Sequence, residues 1–428
     1  MVPPGTNDMT YTKKIAFILC RYPLGISSMI VNSIRMFAEK GVSVDVYISK
    51  RSLDECPITF ADPHTHIIVF DDTDFSIFLR GYRFIMKKAS NLLYPLVKRA
   101  SIRTGLMVTY PEVYRFSKWL ESITNFDCYD YVCPVDFYSL ISLHDMLHKH
   151  KLVYYNMELL DWNPVNAVFG NKLILKSLEY HLTSSLKFAV LPSPARAEFF
   201  CQINNFPLGK TKILPVASMG NPILKKGRYF RDKFSIPDDH VVLIYSGNFI
   251  SWFQCLEIID AMRSCRCGCT LVMHTWSQSS LETEYFKNMV RKAQGLPVFF
   301  STEYISPDSL TEALSSADIG LAFYESMDEN CTEILFSSNK IGEYLKAGLA
   351  VITSDFSSLS DFVHSHRIGL AVPLSRLSTA VEEISRQLDQ YRANALECYN
   401  AYYRFELHFE NFYRSLYPRL SDEQPDAQ

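Results

Sequence analysis

Short runs of β-branched and aromatic residues alternate with longer stretches of helical periodicity, and the alternation starts twice. In the first half the runs are IAFILC (15–20), VDVYIS (44–49), HIIVF (66–70), YDYVC (129–133), KLVYYN (151–156) and FAVLPS (188–193). Between the first two lies SSMIVNSIRMFAEKG, with apolar residues at helical spacing and Gly41 after the last turn. Strand, helix, strand in this order implies a parallel pair joined by a right-handed crossover. The second series is HVVLIYSG (240–247), CTLVMHT (269–275), PVFFST (297–302), DIGLAFY (318–324) and AVITS (350–354). The pattern predicts an α/β fold of two Rossmann-like, doubly wound domains, 13–212 and 236–400. A linker rich in Pro, Gly and basic residues, 213–235, joins them. Sheets of this kind bind ligands at the carboxyl ends of their strands, so a ligand is expected in a cleft that the two domains face. Residues 401–417 carry Phe405, Phe409, Phe412 and Leu416 at helical spacing, which reads as packing. Polar tails, 1–12 and 418–428, flank the whole.

Composition excludes several classes. The chain has 428 residues and a formal net charge of −3, without the basic excess of a non-specific nucleic-acid binder, so no nucleic-acid partner is expected. Its eleven cysteines are odd in number and scattered, which reads as a reduced, cytoplasmic protein rather than a disulfide framework. CRCGC (265–269) packs three thiols together, but structural zinc wants four ligands in paired units and no second pair is visible. No metal and no cofactor are expected. Arg21 breaks the apolar run IAFILC after six residues, too short for a secretory leader. No stretch approaches the ~20 residues of a membrane span. One region stands apart: residues 80–103 hold seven Lys or Arg and no acid, interleaved with Phe, Tyr and Leu. It reads either as peripheral contact with an anionic membrane or as an ordinary solvated helix.

The segment SSNKIGEYLKAGLAVIT (337–353) carries the most chemistry. Its helix opens on Ser337, Ser338 and Asn339, has Ile341, Tyr344 and Leu345 as an apolar stripe, and stops at Gly348 before a strand. Lys340, Glu343 and Ala347 are spaced to share a second face. A helix start leaves N–H groups unpaired, where an anion is welcome. A phosphate at the tip with a diol just inside would use both the helix start and Glu343.

ADIGLAFYES followed by SSNKIGEYLKAGLAVITSD resembles the donor-binding region of GT-B glycosyltransferases, in particular the family 4-like group. YYNMELL (154–160), PSPARAEFF (192–200) and YSGNF (245–249) fall in the order such enzymes show, so the resemblance runs over about residues 13–416. It implies a metal-independent, retaining transfer of a sugar from a nucleotide-sugar to a glycan or lipid-linked acceptor, in cell-surface polysaccharide or glycolipid synthesis. It also implies a last helix, 401–417, that returns to the first domain. Glu343 would take the ribose hydroxyls, and the backbone at Ser337, Ser338 and Asn339 the diphosphate. Gly247, Asn248 and Tyr324 would line the donor site, with His274 and Trp276 facing the cleft and Tyr304 beside the base. Gly25, Ile26 and Ser27, a small-residue turn after the first strand, would let an acceptor approach the backbone.

Three positions depart from the family pattern. Leu335 stands where a first glutamate often lies, eight residues before Glu343. No basic residue follows Gly247 until Arg263, so Lys340 is the replacement expected to meet the diphosphate. Met157 and Glu158 stand where a histidine is common, and Glu158 either binds acceptor hydroxyls or caps the next helix. A different class remains open: a catalytically inactive partner subunit that keeps the fold and the nucleotide site. An epimerase would need acid/base groups that the sequence does not place.

Overall fold

The computed structural model describes residues 13–73, 110–146, 151–162, 172–265 and 268–418. The basic region 80–103, both tails and the middle of CRCGC lie outside them. The chain forms two compact units, Met1–Leu214 with Phe409–Gln428, and Pro215–His408.

The first unit is built on a seven-stranded parallel sheet in the order β3-β2-β1-β4-β5-β6-β7. Its strands are β1 Lys14–Leu19, β2 Ser43–Ser49, β3 Thr65–Phe70, β4 Tyr131–Pro134, β5 Leu152–Tyr155, β6 Leu186–Leu191 and β7 Thr211–Ile213. β1 is an interior strand and is buried from Ile15 to Leu19, the pattern of a strand covered by helices on either side. β3 is an edge strand and half exposed along its length. The order reverses direction between β1 and β4, which makes their carboxyl ends the switch point where such sheets open a crevice. Behind the sheet Lys176 and Glu179 form a fully buried ion pair at 2.9 Å. It is completed by Asn204, which accepts from Lys176, and by Tyr154, whose hydroxyl donates to Glu179.

The second unit repeats the design with six parallel strands in the order β10-β9-β8-β11-β12-β13. These are β8 Val241–Ser246, β9 Cys269–His274, β10 Val298–Ser301, β11 Ile319–Ala322, β12 Ala350–Thr353 and β13 Gly369–Ala371. Its switch point lies between β8 and β11.

Eleven of these strands coincide with the runs read from sequence. β7 and β13 are additional, each only three residues long. The linker expected at 213–235 therefore starts inside β7, and it contains a helix, Tyr229–Lys233. The terminal helix also differs from the continuous one expected at 401–417. Helix Leu388–Cys398 runs into a π-turn at Tyr399–Tyr403, breaks at Arg404, and resumes as helix Phe405–Leu416. Phe405, Phe409, Phe412 and Leu416 are buried as packing residues. From Phe409 onward they belong to the first unit, where Phe409 meets Phe37 edge-on at 4.9 Å and the Tyr131 hydroxyl donates to the Leu416 carbonyl at 2.6 Å.

Arg392, on helix Leu388–Cys398, donates to four main-chain carbonyls: Ala347 and Gly348 at the end of helix Asn339–Lys346, and Ile223 and Leu224 in the loop before Tyr229–Lys233. Gly348 adopts φ +73°, and a methyl group there would meet the Arg392 guanidinium at 2.7 Å. The helix ends in a Schellman-type turn, with the Leu349 N–H reaching back to the Tyr344 carbonyl.

Candidate functional site

Helix Asn339–Lys346 is held at the β8/β11 switch point by its apolar stripe. Ile341, Tyr344 and Leu345 are buried. Tyr344 lies where only a glycine leaves room, since a methyl group on Gly320 would fall 2.3 Å from its ring. The Tyr344 hydroxyl accepts from the Ser246 N–H at 2.9 Å and faces the Leu321 carbonyl at 3.3 Å, pinning the helix to the ends of both strands. At its start Ser338 is the N-cap, its hydroxyl accepting from the Lys340 N–H at 3.3 Å and from the Tyr324 hydroxyl at 2.8 Å. Ser337 turns back onto the Glu333 carbonyl, and Asn339 is the first helical residue.

Lys340 reaches into a cage of rings. Its ammonium lies 3.7 Å from the Phe253 centroid and 5.5 Å from those of Tyr245 and Tyr324. Among the described residues no carboxylate pairs with it. Burial lowers its pKa to about 8. Gly247, at φ +150°, makes the room: a methyl group there would sit 2.9 Å from Lys340 Cε and 3.1 Å from Nζ. Cation–π contact contributes ~0.5–2 kcal/mol, but a cation in the first turn of a helix opposes the macrodipole. The arrangement is a cation among rings at a capped helix start, with no carboxylate partner among the described residues.

The sequence places Lys340 and Glu343 on one face; the structure separates them. Glu343 turns to Ser218, whose hydroxyl donates to one carboxylate oxygen, and to Thr311, which donates to the other at 2.8 Å. Sequence reasoning had no signal for Ser218, 125 positions away in the chain, nor for Thr311. Tyr245 and Phe253 were equally unmarked, although aromatics flanking a strand-end glycine are the trace they leave.

The remaining donor-side residues divide. His274 is 1% exposed and points inward rather than toward an open face. The Ser301 hydroxyl donates to Glu303 at 3.1 Å, so the hydrogen in the 3.0 Å contact between His274 Nδ1 and Ser301 Oγ sits on the imidazole. Nε2 then carries a lone pair, and burial lowers the His274 pKa to about 4. Burial opposes ionisation of Glu303, yet bonds from Lys233, Tyr229 and Ser301 hold it down at about 2. His274 contributes through its backbone, where its carbonyl accepts from the Gly247 N–H at 3.0 Å. Trp276 and Tyr304 meet edge-on at 6.3 Å, and both are exposed. Asn248 is exposed, and its carbonyl accepts from the Tyr245 hydroxyl. The structure thus gathers Gly247 and Tyr324 around the Lys340 ammonium, with Ser338 capping its helix, and leaves Glu343 on a separate pair of hydroxyls.

In the first unit the turn after β1 is closed by the chain itself. A methyl group on Gly25 would strike Cys56 Sγ at 2.6 Å and the Cys56 carbonyl at 2.8 Å, so this glycine admits its own neighbour rather than a ligand. Ile26 is exposed and Ser27 buried at the head of helix Ser28–Glu39. Glu158 is exposed just beyond β5, with its carbonyl accepting from Asn156 at 3.2 Å. Nearby lies a residue that sequence reasoning missed. Asp136 follows β4 at the β1/β4 switch point with φ +62°, is 7% exposed, and has Oδ1 without a partner among the described residues. Burial, then the charge of Glu158, raises its pKa well above the usual carboxylate range. A strained, buried, unsatisfied carboxyl is a marker of a functional position. Among the described residues no group of His, Cys, Asp and Glu is placed to hold a metal ion, and no helix is long and apolar enough to cross a membrane.

No family model and no curated protein matches the sequence. Solved structures do match in three dimensions. A sucrose-phosphate synthase from Thermosynechococcus elongatus is 16% identical with a TM-score of 0.66, the match covering 94% of this chain and 99% of that one. HepE from Anabaena, in complex with UDP and glucose, is 12% identical with a TM-score of 0.63 over the same shares of each chain. A UDP-forming trehalose-phosphate synthase from Burkholderia vietnamiensis is 10% identical with a TM-score of 0.61, covering 95% and 99%. With its two Rossmann-like sheets, the chain has the fold of these proteins, GT-B.

Proposed function

We propose that this protein is a glycosyltransferase that moves a sugar from a nucleotide-sugar donor to a hydroxyl of a glycan or lipid-linked acceptor, with retention and without a metal ion. The observation that carries the reading is Lys340: a half-buried lysine whose ammonium lies among rings, with no carboxylate partner among the described residues, at a capped helix start on the second switch point. A nucleoside diphosphate supplies the missing anion. As the glycosidic bond breaks, negative charge grows on the departing phosphate, and a fixed cation with helix amides stabilises that charge more than it stabilises the bound substrate. On this reading Glu343 takes ribose hydroxyls in exchange for the Ser218 and Thr311 hydroxyls it now holds. UDP is the nucleotide to try first, because HepE is described in complex with it. The cytoplasm is the compartment this reading assigns, with assembly of cell-surface polysaccharide or glycolipid as its setting.

The occupied carboxylate of Glu343 also suits the other class, a partner subunit that binds nucleotide without turnover. Incubation with a panel of nucleotide-sugars and acceptors, following nucleotide release, separates the two. Release stimulated by an acceptor establishes the transferase. Binding of nucleotide with no turnover of any donor would replace it with the partner subunit.

A further inference from the structure

The first unit contains a pocket of about 580 Å³, counting the open space at its mouth, where β1, β2 and β3 end and helix Pro111–Ile123 begins. Nothing in the donor chemistry uses it. We infer that this pocket holds a neutral, hydroxyl-bearing sugar of the acceptor and disfavours a sugar phosphate. The inference rests on the transferase reading and adds to it the acceptor's chemical class.

Position is the first argument. Parallel sheets bind ligands beyond the carboxyl ends of their strands, and this pocket lies there, beyond the ends of β1, β2 and β3. The second is the charge of the wall. Three carboxylates, Glu55, Asp72 and Glu112, face two guanidiniums, Arg21 and Arg51. Arg21 is already committed, 3.3 Å from Glu112 and stacked 4.2 Å from the Tyr138 centroid. Asp72 is fixed by the Arg51 N–H at 3.1 Å, while the Arg51 guanidinium makes no ion pair among the described residues. A phosphate dianion entering here would meet one uncommitted cation and an excess of like charge, which is unfavourable at close range. Sugar hydroxyls suit the same wall: each donates to a carboxylate and accepts from a guanidinium, and the alternation of signs matches neighbouring hydroxyls. Half-buried Phe70, backed by buried Phe116 at 5.7 Å, adds an apolar side for the C–H face of a pyranose.

The test uses the full-length protein and saturation-transfer NMR with methyl α-glucoside, methyl α-galactoside, methyl α-mannoside and glucose 6-phosphate. At least one methyl glycoside should bind, and glucose 6-phosphate should bind about fivefold more weakly or not at all. The double variant Glu55→Gln with Asp72→Asn inverts the charge balance through side chains that are exposed or half-exposed, and it should reverse that preference. A purely structural role would not produce such a reversal. Preference for the phosphate in the unaltered protein, no binding of any glycoside, or the same preference in the double variant would each overturn the inference. UDP affinity is read by calorimetry on the same samples. Loss of the glycoside result with UDP still bound refutes the pocket alone, whereas a glycoside result without UDP binding refutes the donor reading instead.

Discussion

The Lys340 ammonium lies 3.7 Å from the centre of the Phe253 ring, with no carboxylate partner among the described residues. Two consequences of opposite sign follow from burial lowering its pKa to about 8 from the ordinary 10.5. Anion binding needs the charged form, so UDP affinity should be full below pH 8 and fall as the pH rises through that value. Folding responds the other way. Between about 8 and 10.5 the unfolded chain holds the extra proton, so this group makes stability rise with pH across that window. Lys340→Arg keeps its charge throughout and should flatten the binding profile while restoring only part of the activity lost in Lys340→Ala. Calorimetric titration with UDP at several pH values decides it: parallel profiles for wild type and the Arg variant would remove Lys340 from the diphosphate.

Gly247→Ala should cost roughly 1–3 kcal/mol of stability from backbone strain and, in addition, push Lys340 out of its cage. Gly220 is the control. It too has a positive φ, +85°, but a methyl group there meets nothing within 4 Å. Denaturant melts should show comparable losses for the two variants, with UDP affinity falling tenfold or more only in Gly247→Ala. Equal affinities would detach the glycine from the site.

For Glu343→Gln the expected loss is ~1.5–3 kcal/mol of nucleotide affinity, the value of a hydrogen bond to a charged group. Calorimetry with UDP and with uridine measures it. Wild-type affinity for both ligands in a folded variant would take the ribose away from Glu343.

Asp136 links strain to pH. Its carboxyl pKa is raised from 3.8 by burial and by Glu158, so the folded chain holds a proton that the unfolded chain releases. Stability from this group is therefore complete below pH 3.8 and declines as the pH rises toward the folded value. Asp136→Asn removes the ionisation and keeps a side chain that tolerates positive φ. It should be more stable than wild type by ~1–3 kcal/mol at pH 7, with the gap closing in acid. Urea melts at neutral and acid pH provide the comparison, and a gap independent of pH would show that the carboxyl does not titrate as argued.

Sugar transfer should survive EDTA if, as proposed, Lys340 and the start of helix Asn339–Lys346 meet the diphosphate in place of a divalent ion. A strict dependence on added manganese or magnesium would contradict that assignment.

The strands that stand out most clearly in the sequence are those buried on both faces. IAFIL in β1 and VVLIY in β8 cannot satisfy a helical period, and they stand out for that reason. β7 and β13 are too short for any period to show. The site was legible where chemistry is local: the Ser338 cap, the Gly348 stop and the glycine after β8 all act within a few residues of themselves. It was not legible where tertiary packing decides a side chain's direction. Lys340 and Glu343 are three residues apart and go to different partners, because rings from β8 and from the segments that follow β8 and β11 attract one while Ser218 and Thr311 attract the other. Asp136 left no trace, since its strain depends on the backbone after β4 and its burial on surrounding elements. Gly25 misled for the opposite reason: a glycine in a strand-end turn suggests a ligand, and here Cys56 fills the space.

Arg392 grips four carbonyl oxygens and no side chain. Residues 223, 224 and 347 can therefore vary over evolutionary time without loosening that clamp, since every residue type offers the same acceptor. Arg392 itself has no such freedom, and neither does Gly348, where any side chain would occupy the guanidinium's place. The two are expected to covary, although they are 44 positions apart and have no role in the proposed chemistry. In diverging relatives they would be kept or lost together, a record of how helix Asn339–Lys346 is anchored rather than of what it binds.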